Sequence, residues 1–343
     1  MCKYKLSVII PTFNTGDLLK DLFDSIKNQT IGFDNVEIIF VDDASKDVYT
    51  LDLINSYESD YSNCKAIFLN ENSSFPGKPR NIGLEASTSD FVIFADHDDS
   101  YNPDAFEKLY NKITEENADF VISNYYKVYS NKKVKEKTVF NGESVKINDI
   151  SQDLRFFEIG PSIWTKLFRK KFLIENNIKF LEGMLAEDMY FYVKSLLKGK
   201  NIVYLDNVFT YNYSIRDSSE DKSTIHIRNK KYLSKMICGY FETWNLLKSF
   251  KKEEYYSVIF KRHLIYWLSS FIASDITDKE KKDLLIAIIP LLKKQVILTP
   301  NFDEKRYSSL TKPILNEDFD EIINQANKIK KYRFIIEKIK SFF

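Results

Sequence analysis

Residues 91–99 read Phe-Val-Ile-Phe-Ala-Asp-His-Asp-Asp, a run of apolar residues that leads directly into three carboxylates. A short run that is apolar at every position is typical of a fully buried strand in a parallel sheet, and such sheets bind ligands at the carboxyl ends of their strands. Asp96, Asp98 and Asp99 are therefore predicted to form one rigid cluster. Their hard oxygen atoms suit Mg²⁺ or Mn²⁺, which commonly hold a diphosphate. Taken alone, the segment also fits an acidic turn that ends a strand.

Three further polar segments follow predicted strands, so a common ligand edge is expected. Strand-like runs at 6–10, 36–41, 66–69 and 91–95, and a further predicted strand at 119–124, alternate with helical patterns. This alternation predicts a right-handed, doubly wound and mostly parallel α/β sheet. Pro11–Asn14, the pair Asp42 and Asp43, and the loop that ends at Arg80 would then join the aspartates at one edge. An acidic pair suits ribose hydroxyls or a base N–H, and a guanidinium suits a base carbonyl or a phosphate.

The composition excludes several classes of protein. The 343 residues are 44% hydrophobic and 29% charged with a formal net charge of +1, which predicts a globular chain with no strong attraction to nucleic acid. Three cysteines, far apart and odd in number, argue against a disulfide framework and fit a reducing compartment. No signal peptide pattern is visible, and no apolar stretch approaches the roughly 18 residues of a membrane span. A cytoplasmic location is expected.

The second half of the chain has a different pattern. The lysine-rich segment 130–150 is expected to form an exposed loop or hairpin, and the run 202–205 a strand. Beyond residue 223 the patterns are helical, at 232–250, 255–274, 279–294 and 318–343. A separate all-helical domain is therefore predicted, with its boundary near residue 225.

The predicted last helix is amphipathic and basic. Its apolar face is formed by Tyr332, Ile335, Ile336, Ile339 and Phe343, and its charged residues are mostly Lys and Arg. Such a helix can lie on an anionic membrane surface. It can equally bury its apolar face against neighbouring helices or a second subunit. Packing is favoured, and peripheral membrane contact and a homo-oligomer stay open.

The motifs resemble the inverting family 2 glycosyltransferases of the GT-A fold. The resemblance is carried by Ser-Val-Ile-Ile-Pro-Thr-Phe-Asn (7–14), Val-Asp-Asp-Ala-Ser-Lys-Asp (41–47), Pro-Gly-Lys-Pro-Arg-Asn-Ile-Gly (76–83) and Asp-His-Asp-Asp (96–99). The third of these and Ala-Glu-Asp (186–188) look most like the wall-teichoic-acid N-acetylglucosaminyltransferases of Gram-positive bacteria. The resemblance implies a GT-A catalytic domain over 1–225, with a nucleotide half near 1–125 and an acceptor half near 126–225. The helical domain would span 226–343.

The resemblance also implies a donor site. The residues expected to bind the UDP-sugar are Pro11, Thr12, Asn14, Asp43, Asn72, Arg80, Asp96 and Arg216, with Asn72 and Arg80 closing over the base. Asp98 would bind the divalent metal, Mn²⁺ or Mg²⁺. His97 stands where the family often has Ser or Ala, and it is expected to lie outside the ligand set. Ser214 replaces the first Arg of a family segment, so Arg216 alone would face the diphosphate unless Lys222 or His226 substitutes.

The resemblance implies that Asp188 is the catalytic base, since an inverting transfer needs one carboxylate to deprotonate the acceptor hydroxyl. It stands at the start of a predicted helix, whose dipole would favour the anionic form. A simple N-cap is the alternative for this position. Glu187 is expected to position the acceptor, and Trp164, with Lys166, to form an acceptor wall. A tryptophan at such a position can equally be part of the core.

The predicted function is the metal-dependent, inverting transfer of a sugar, first N-acetylglucosamine, from a UDP-sugar to a hydroxyl of a cell-surface polymer. Teichoic acid and capsular polysaccharide are the expected acceptors. One alternative is a sugar-phosphate nucleotidyltransferase, although its usual glycine-rich loop is missing after the first strand. The other is a non-catalytic nucleotide-sugar-binding scaffold, although Asp43, Asp96, Asp98 and Asp188 are all present.

Overall fold

The computed structural model describes residues 3–216, 228–300 and 307–340, with side chains described as far as residue 332. The chain divides into two compact units, residues 1–217 and 218–343. The predicted boundary near residue 225, together with Ser218, Lys222, Ser223 and His226, lies outside the described residues.

The first unit is built on one mixed sheet. Its strands are β1 (Leu6–Thr12), β2 (Val36–Asp42), β3 (Cys64–Phe68), β4 (Phe91–Phe94), β5 (Ser100–Tyr101), β6 (Phe120–Tyr129), β7 (Lys132–Lys135), β8 (Ser144–Ile147), β9 (Lys166–Arg169) and β10 (Ile202–Ser214). The strand order is β3-β2-β1-β4-β9-β6-β10-β5, with β7 beside β6 and β8 beside β10. The four neighbouring strands β3, β2, β1 and β4 run parallel to one another, and β6 runs parallel to β10. Because β9 is antiparallel to both β4 and β6, the carboxyl ends of β4 and β6 lie at the same edge.

Six helices cover this sheet. They are α1 (Leu18–Lys27), α2 (Val48–Asp60), α3 (Gly77–Ala86), α4 (Ala105–Glu115), α5 (Lys170–Glu175) and α6 (Glu187–Lys198). Leu19, Leu22, Phe23 and Ile26 recur at helical spacing on α1, and all four are buried. Short 3₁₀ turns occur at Phe33–Asn35, Ile150–Gln152, Leu154–Glu158 and Ile163–Thr165. The unit therefore has the predicted α/β architecture.

Two features of this sheet differ from the sequence prediction, and a third agrees with it. Strand β9 was not predicted, and its antiparallel pairing with β4 and β6 interrupts the mostly parallel sheet that was expected. Strand β10 continues far beyond residue 205, because Asp206 is accommodated in the interior by hydrogen bonds from Tyr204 Oη at 2.6 Å and Thr138 Oγ1 at 2.7 Å. The lysine-rich segment after β6 forms the β6–β7 hairpin, which agrees with one of its two predicted forms.

The second unit is helical throughout its described part. Its helices are α7 (Lys230–Ser249), α8 (Tyr256–Ala273), α9 (Asp278–Leu298), α10 (Ser308–Asn316) and α11 (Phe319–Lys340), with a 3₁₀ turn at Glu253–Tyr255. Helix α10 was not predicted. A capping box of Thr277 and Glu280 begins α9. Within the described residues, no helix is both long and apolar enough to cross a membrane.

The first half of α11 packs within this unit. Ile322, Ile323 and Ala326 are buried, and Lys330 pairs with Asp275 at 2.5 Å. This packing precedes the predicted apolar face, so the packing interpretation of that face stays a prediction. Tyr332 is exposed, and the side chains of Ile335, Ile336, Ile339 and Phe343, on which the apolar-face prediction also depends, lie outside the described residues.

Candidate active site

The ends of β1 and β2 are tied together by polar side chains. Thr12 Oγ1 donates to Asp42 Oδ2 at 3.1 Å, and Asp42 also accepts hydrogen bonds from Ser45 N at 2.8 Å and Ser45 Oγ at 2.5 Å. Asp42 is buried, and its carboxylate is occupied by this turn. Pro11 is buried within β1. The side chains of Thr12 and Asp42 therefore hold the turn at this edge of the sheet in place.

Asp43 joins this edge to the loop after β3. Its backbone N–H donates to Thr12 O at 2.8 Å, and its carboxylate accepts Ser73 N at 2.9 Å and Ser73 Oγ at 2.9 Å. Asn72 Nδ2 donates to Asp43 O at 2.8 Å. Thr12, Asp43 and Asn72, three predicted donor-site residues, are thus brought together.

Asn14 closes the same corner through its backbone and side chain. It has a φ of 49°, a left-handed conformation that Asn tolerates better than most residues. Its Oδ1 accepts the N–H groups of Lys46 at 2.8 Å and Asp47 at 3.0 Å, so the side chain fixes the entry to α2. Asn14 is nevertheless exposed, and its role toward a donor stays a prediction.

Arg80 is the centre of the site. Its side chain is only 4% exposed, and it pairs with three carboxylates that come from two distant parts of the chain. The Nη2 atom donates to Asp96 Oδ1 at 2.8 Å, while Nη1 donates to Glu187 Oε1 and Asp188 Oδ1, both at 2.9 Å. The expectation that Arg80 closes over the base is corrected here, because both terminal nitrogens are used by carboxylates. Only Nε has no partner in the described part of the chain.

The two acids of α6 are electrostatically unusual. Burial and the neighbouring Asp188 carboxylate raise the pKa of Glu187 to about 7. Burial also raises the pKa of Asp188, against the opposing effect of the Arg80 guanidinium. The pKa of Asp188 is therefore raised, which is opposite to the direction expected from the helix dipole. A carboxyl with a raised pKa is a stronger proton acceptor once it is ionised.

The structure excludes the N-cap alternative for Asp188. Helix α6 is capped by Ala186, and no side chain makes a capping hydrogen bond there. Ala186 has a φ of 63°, an unfavourable conformation for a residue with a Cβ atom that costs of order 1 kcal/mol. This turn directs both carboxylates of the following residues to Arg80. Backbone strain of this kind is commonly found at functional sites.

The other acids after β4 face the end of β10. Asp98 pairs with Arg216 Nη2, and Asp99 Oδ1 accepts Ser214 N at 2.7 Å. Asp99 is buried, and burial together with the charge of Asp98 raises its pKa well above the usual range. Tyr211 Oη accepts the N–H of Asp96 at 3.3 Å. Arg216 thus pairs with the predicted metal ligand, and its role toward a diphosphate stays a prediction.

A divalent metal fits one position of this cluster. Among the described residues, no group of three or more His, Cys, Asp or Glu side chains could hold an ion. Mg²⁺ needs no such group when one or two carboxylates share it with substrate phosphates and water. The Asp98 carboxylate supplies a hard oxygen donor and is 24% exposed, so it suits that arrangement. His97 is half-buried, and its role stays a prediction.

Trp164 does not form an acceptor wall. Its side chain is 6% exposed and belongs to the core of the sheet unit. The indole ring stacks on Tyr211 with 4.3 Å between centroids and meets Tyr125 edge-on at 4.8 Å. The earlier expectation is wrong because three aromatic rings from β6 and β10 enclose the indole; Tyr213, at 5.8 Å, is the third.

Lys166 lies in the site in a way that differs from the acceptor wall expected for it, and Tyr211 was given no role from the sequence. The Lys166 ammonium is buried, donates to Gly160 O at 3.0 Å, and lowers the pKa of Asp188, although less than burial raises it. Tyr211 supports Asp96 and stacks on Trp164. The lysine two residues after Trp164 was the sequence feature that could have indicated this role. That it acts on Asp188 could not be predicted from the sequence.

Comparison with known proteins identifies the family. The family model described as "Glycosyl transferase family 2" matches residues 7–178. The chain belongs to this family. It is 30% identical over 309 residues to the cholesterol galactosyltransferase of Borreliella burgdorferi, a match that covers 85% of this chain and 84% of the relative. It is 32% identical over 262 residues to the poly(ribitol-phosphate) beta-N-acetylglucosaminyltransferase TarP of Staphylococcus aureus, which covers 76% of each chain.

A solved family 2 glycosyltransferase structure has the same fold. The crystal structure of S. aureus TarS 1–349 in complex with UDP-GlcNAc matches with a TM-score of 0.72 at 22% identity, covering 96% of this chain and 91% of that one. The GT-A fold expected from the motifs is therefore confirmed. The family membership also establishes that this chain is a glycosyltransferase, so the nucleotidyltransferase and scaffold alternatives are set aside.

Proposed function

We propose that this glycosyltransferase moves N-acetylglucosamine from UDP-N-acetylglucosamine to a hydroxyl group of a cell-surface polymer, with inversion at the anomeric carbon. The donor is suggested by the UDP-GlcNAc complex of TarS, and the acceptor class by the poly(ribitol-phosphate) named for TarP. Teichoic acid is the first acceptor proposed, and capsular polysaccharide the second. The enzyme would act on the cytoplasmic side of the membrane.

One observation carries the proposed mechanism. A single guanidinium, that of Arg80, binds both Asp96, on the proposed donor side, and Asp188, the proposed base. Asp188 would remove the proton from the acceptor hydroxyl as its oxygen forms a bond to the anomeric carbon. The bond from that carbon to the diphosphate breaks in the same step, and UDP leaves with the bonding electrons. Glu187, beside Asp188, would position the acceptor.

The remaining site residues are assigned to the donor. Thr12, Asn14, Asp43 and Asn72, with the ring of Pro11, would surround the uridine. Asp98 would hold Mn²⁺ or Mg²⁺, which when bound neutralises negative charge on the diphosphate. Arg216 would turn from Asp98 toward the phosphates. We assign this catalysis to the sheet unit and docking or assembly to the helical unit.

A second candidate is galactose transfer to the hydroxyl of a sterol or another lipid. It is favoured by the match to the cholesterol galactosyltransferase, which extends over 85% of this chain and 84% of that protein. The two candidates use the same base and the same metal position. They differ in the donor sugar and in the acceptor, so donor selectivity separates them.

Thermal unfolding with a panel of nucleotides tests the proposal. UDP, CDP, GDP, UDP-GlcNAc, UDP-galactose and UDP-glucose are each added with and without Mn²⁺, because a ligand that binds the native state raises the apparent stability. Stabilisation by UDP compounds alone, strongest for UDP-GlcNAc, supports the first candidate. Strongest stabilisation by UDP-galactose supports the second. Absence of a response to every nucleotide contradicts both.

Metal dependence is tested with Asp98→Asn in the same panel. This variant is expected to lose the extra stabilisation that Mn²⁺ gives to UDP binding. Asp104→Asn is the matched control, because Asp104 is an acid of the same unit that pairs with Lys108 on the surface at 2.5 Å. An Asp98→Asn protein that keeps the full Mn²⁺ effect would contradict the metal assignment.

A further inference from the structure

The β6–β7 hairpin carries an unusual concentration of positive charge. Residues 126–137 contain five lysines and one glutamate in a chain whose formal net charge is only +1. Glu136 pairs with Lys127 at 2.5 Å. No ion pair involves Lys132, Lys133 or Lys135 in the described part of the chain, and all three are exposed.

Two of these lysines lie over aromatic rings on one face of the hairpin. The Lys133 ammonium lies 4.2 Å from the centroid of Tyr126, and the Lys135 ammonium lies 4.9 Å from that of Phe209. The two rings are themselves in contact, with 4.8 Å between centroids. Lysines that only protect an exposed sheet edge from aggregation need charge and no such support. Here the rings help to place the ammonium groups, and Lys133 Nζ also donates to Asn102 Oδ1 at 3.3 Å, while both lysines stay exposed.

The hairpin lies beside the acids of the active site. Ser214 is the register partner of Val128, and Val128 is the register partner of Lys133, so the three residues are aligned across β10, β6 and β7. Ser214 N in turn donates to Asp99. Two strand spacings separate the backbones of Ser214 and Lys133, which is about 10 Å. The hairpin face that carries Lys133 and Lys135 therefore borders the side of the site formed by Asp98 and Asp99.

The segment that follows the hairpin is firmly held. Asp206 accepts Thr138 Oγ1 at 2.7 Å and Gly142 N at 2.5 Å, and Glu136 N donates to Tyr125 O at 3.0 Å. The hairpin is thus fixed at its base. A hairpin whose base is already held in place loses little backbone entropy when it binds a ligand.

From this geometry we propose that Lys133 and Lys135, with Lys132 at the turn, bind a polyanionic acceptor chain and lead it to the site. The ligand has negative groups repeated along one polymer, of which a phosphodiester chain is the simplest case, and the charge complementarity carries the assignment. This inference rests on the proposed function and adds to it the surface that holds the acceptor. Its binding is electrostatic and therefore falls as salt is added.

The test compares the wild type with Lys133→Gln/Lys135→Gln, in which the stems over the rings remain. Lys171→Gln/Lys200→Gln is the matched control. It removes the same charge from lysines that are 76% and 74% exposed, at the amino edge of the same sheet. Equilibrium binding of poly(ribitol phosphate), of dextran and of UDP is measured at low and at near-physiological salt. Binding to phosphatidylglycerol vesicles is measured in the same way.

The hairpin variant is expected to bind poly(ribitol phosphate) about tenfold more weakly, since each of two exposed ion pairs contributes up to about a factor of five. Its salt dependence should also be shallower, while the control and the affinity for UDP stay at the wild-type level. Unchanged polymer binding, or an equal loss in both variants, would overturn the proposal. So would a loss confined to the vesicles, which would identify a membrane surface. A wild type that binds no UDP would instead refute the proposed function, whatever the polymer shows.

Discussion

Arg80 Nη1 donates to Asp188 Oδ1 at 2.9 Å and so joins two parts of the chain that are 108 residues apart. The same guanidinium binds Asp96 and Glu187, so one buried cation balances three carboxylates. Removing one member of a buried ion network is far more costly than forming it is favourable, because the remaining charges are left unpaired. Arg80 is therefore expected to control both the stability of this region and the protonation of its acids.

The first prediction concerns Arg80→Gln. This substitution should lower the free energy of unfolding by about 3–5 kcal/mol, because Asp96, Glu187 and Asp188 lose their cation. Urea denaturation at neutral pH measures the change. Part of the loss should be recovered at mildly acidic pH, where the unpaired acids become protonated and no longer repel one another.

Arg155→Gln is the control for this experiment. Arg155 binds Asp153 at 2.6 Å, but its side chain is 40% exposed. A surface pair of this kind contributes about 0–1 kcal/mol. Equal destabilisation by the two substitutions would show that the Arg80 network has no special importance.

The second prediction concerns the pH dependence of stability through Glu187. The folded pKa of about 7 is above the usual value of 4.5, so between these values the native state binds more protons than the unfolded state. The stability contribution of this group is therefore fully present below about pH 4.5 and is lost as the pH rises through 7. The slope is at most about 1.4 kcal/mol per pH unit. Glu187→Gln should remove it.

The difference between wild type and Glu187→Gln is measured by urea denaturation at several pH values from 4.5 to 8. Taking the difference cancels the titration of the other acids. Glu175→Gln is the control, since Glu175 is an exposed acid paired with Lys171 at 3.7 Å. A flat difference across this range would mean that Glu187 is ionised throughout in the native state.

The strands that position the site could be predicted because each is a short run of mostly apolar residues, although Ser7 and Glu37 interrupt the first two. Leu6–Thr12, Val36–Asp42 and Phe91–Phe94 are buried at every position, and the sequence shows this directly. Strand β9 could not be predicted, since Lys-Leu-Phe-Arg is only four residues long and begins with a lysine. Its strand conformation depends on pairing with β4 and β6, and such long-range contacts leave no local pattern.

The site itself was predicted as a set of residues but not as a set of contacts. Asp43, Asn72 and Thr12 could be expected to meet because parallel strands end at one edge. The pairing of Arg80 with Glu187 and Asp188 could not, because those acids follow a long stretch of irregular connections. The burial of Trp164 could not be predicted for the same reason, because it depends on rings contributed by β6 and β10.

The third prediction separates the two roles considered for Trp164. Trp164→Ala should lower the free energy of unfolding by about 3–5 kcal/mol, since it opens a cavity beside Tyr211. Trp164→Phe keeps a ring in the same place and should cost less. At a temperature where both proteins are folded, the KM for the acceptor should stay within about twofold of wild type. A Trp164→Phe enzyme of normal stability with a strongly raised acceptor KM would restore the acceptor-wall assignment.

The fourth prediction concerns the base. Asp188→Asn should reduce the rate of sugar transfer by about 10²–10⁴-fold, the range typical of a general base, while UDP binding stays normal. Asparagine has nearly the same shape as aspartate, and its carbonyl oxygen can still accept a hydrogen bond from Arg80. The substitution therefore removes proton transfer with little disturbance of the site. Transfer is followed by single-turnover assay with the best donor from the nucleotide panel, and UDP affinity by calorimetry.

Asp98→Asn is the informative counterpart, because both variants lower turnover but for different reasons. With Asp98→Asn the loss should appear in metal-dependent donor binding, and with Asp188→Asn in the rate at saturating donor. The pH profile gives a third distinction. In the wild type the rate should fall as Asp188 becomes protonated at low pH, and the residual rate of Asp188→Asn should lack that limb. Near-normal turnover by Asp188→Asn would place the base elsewhere, and Glu187, bound to the same nitrogen of Arg80, would be the next carboxylate to replace.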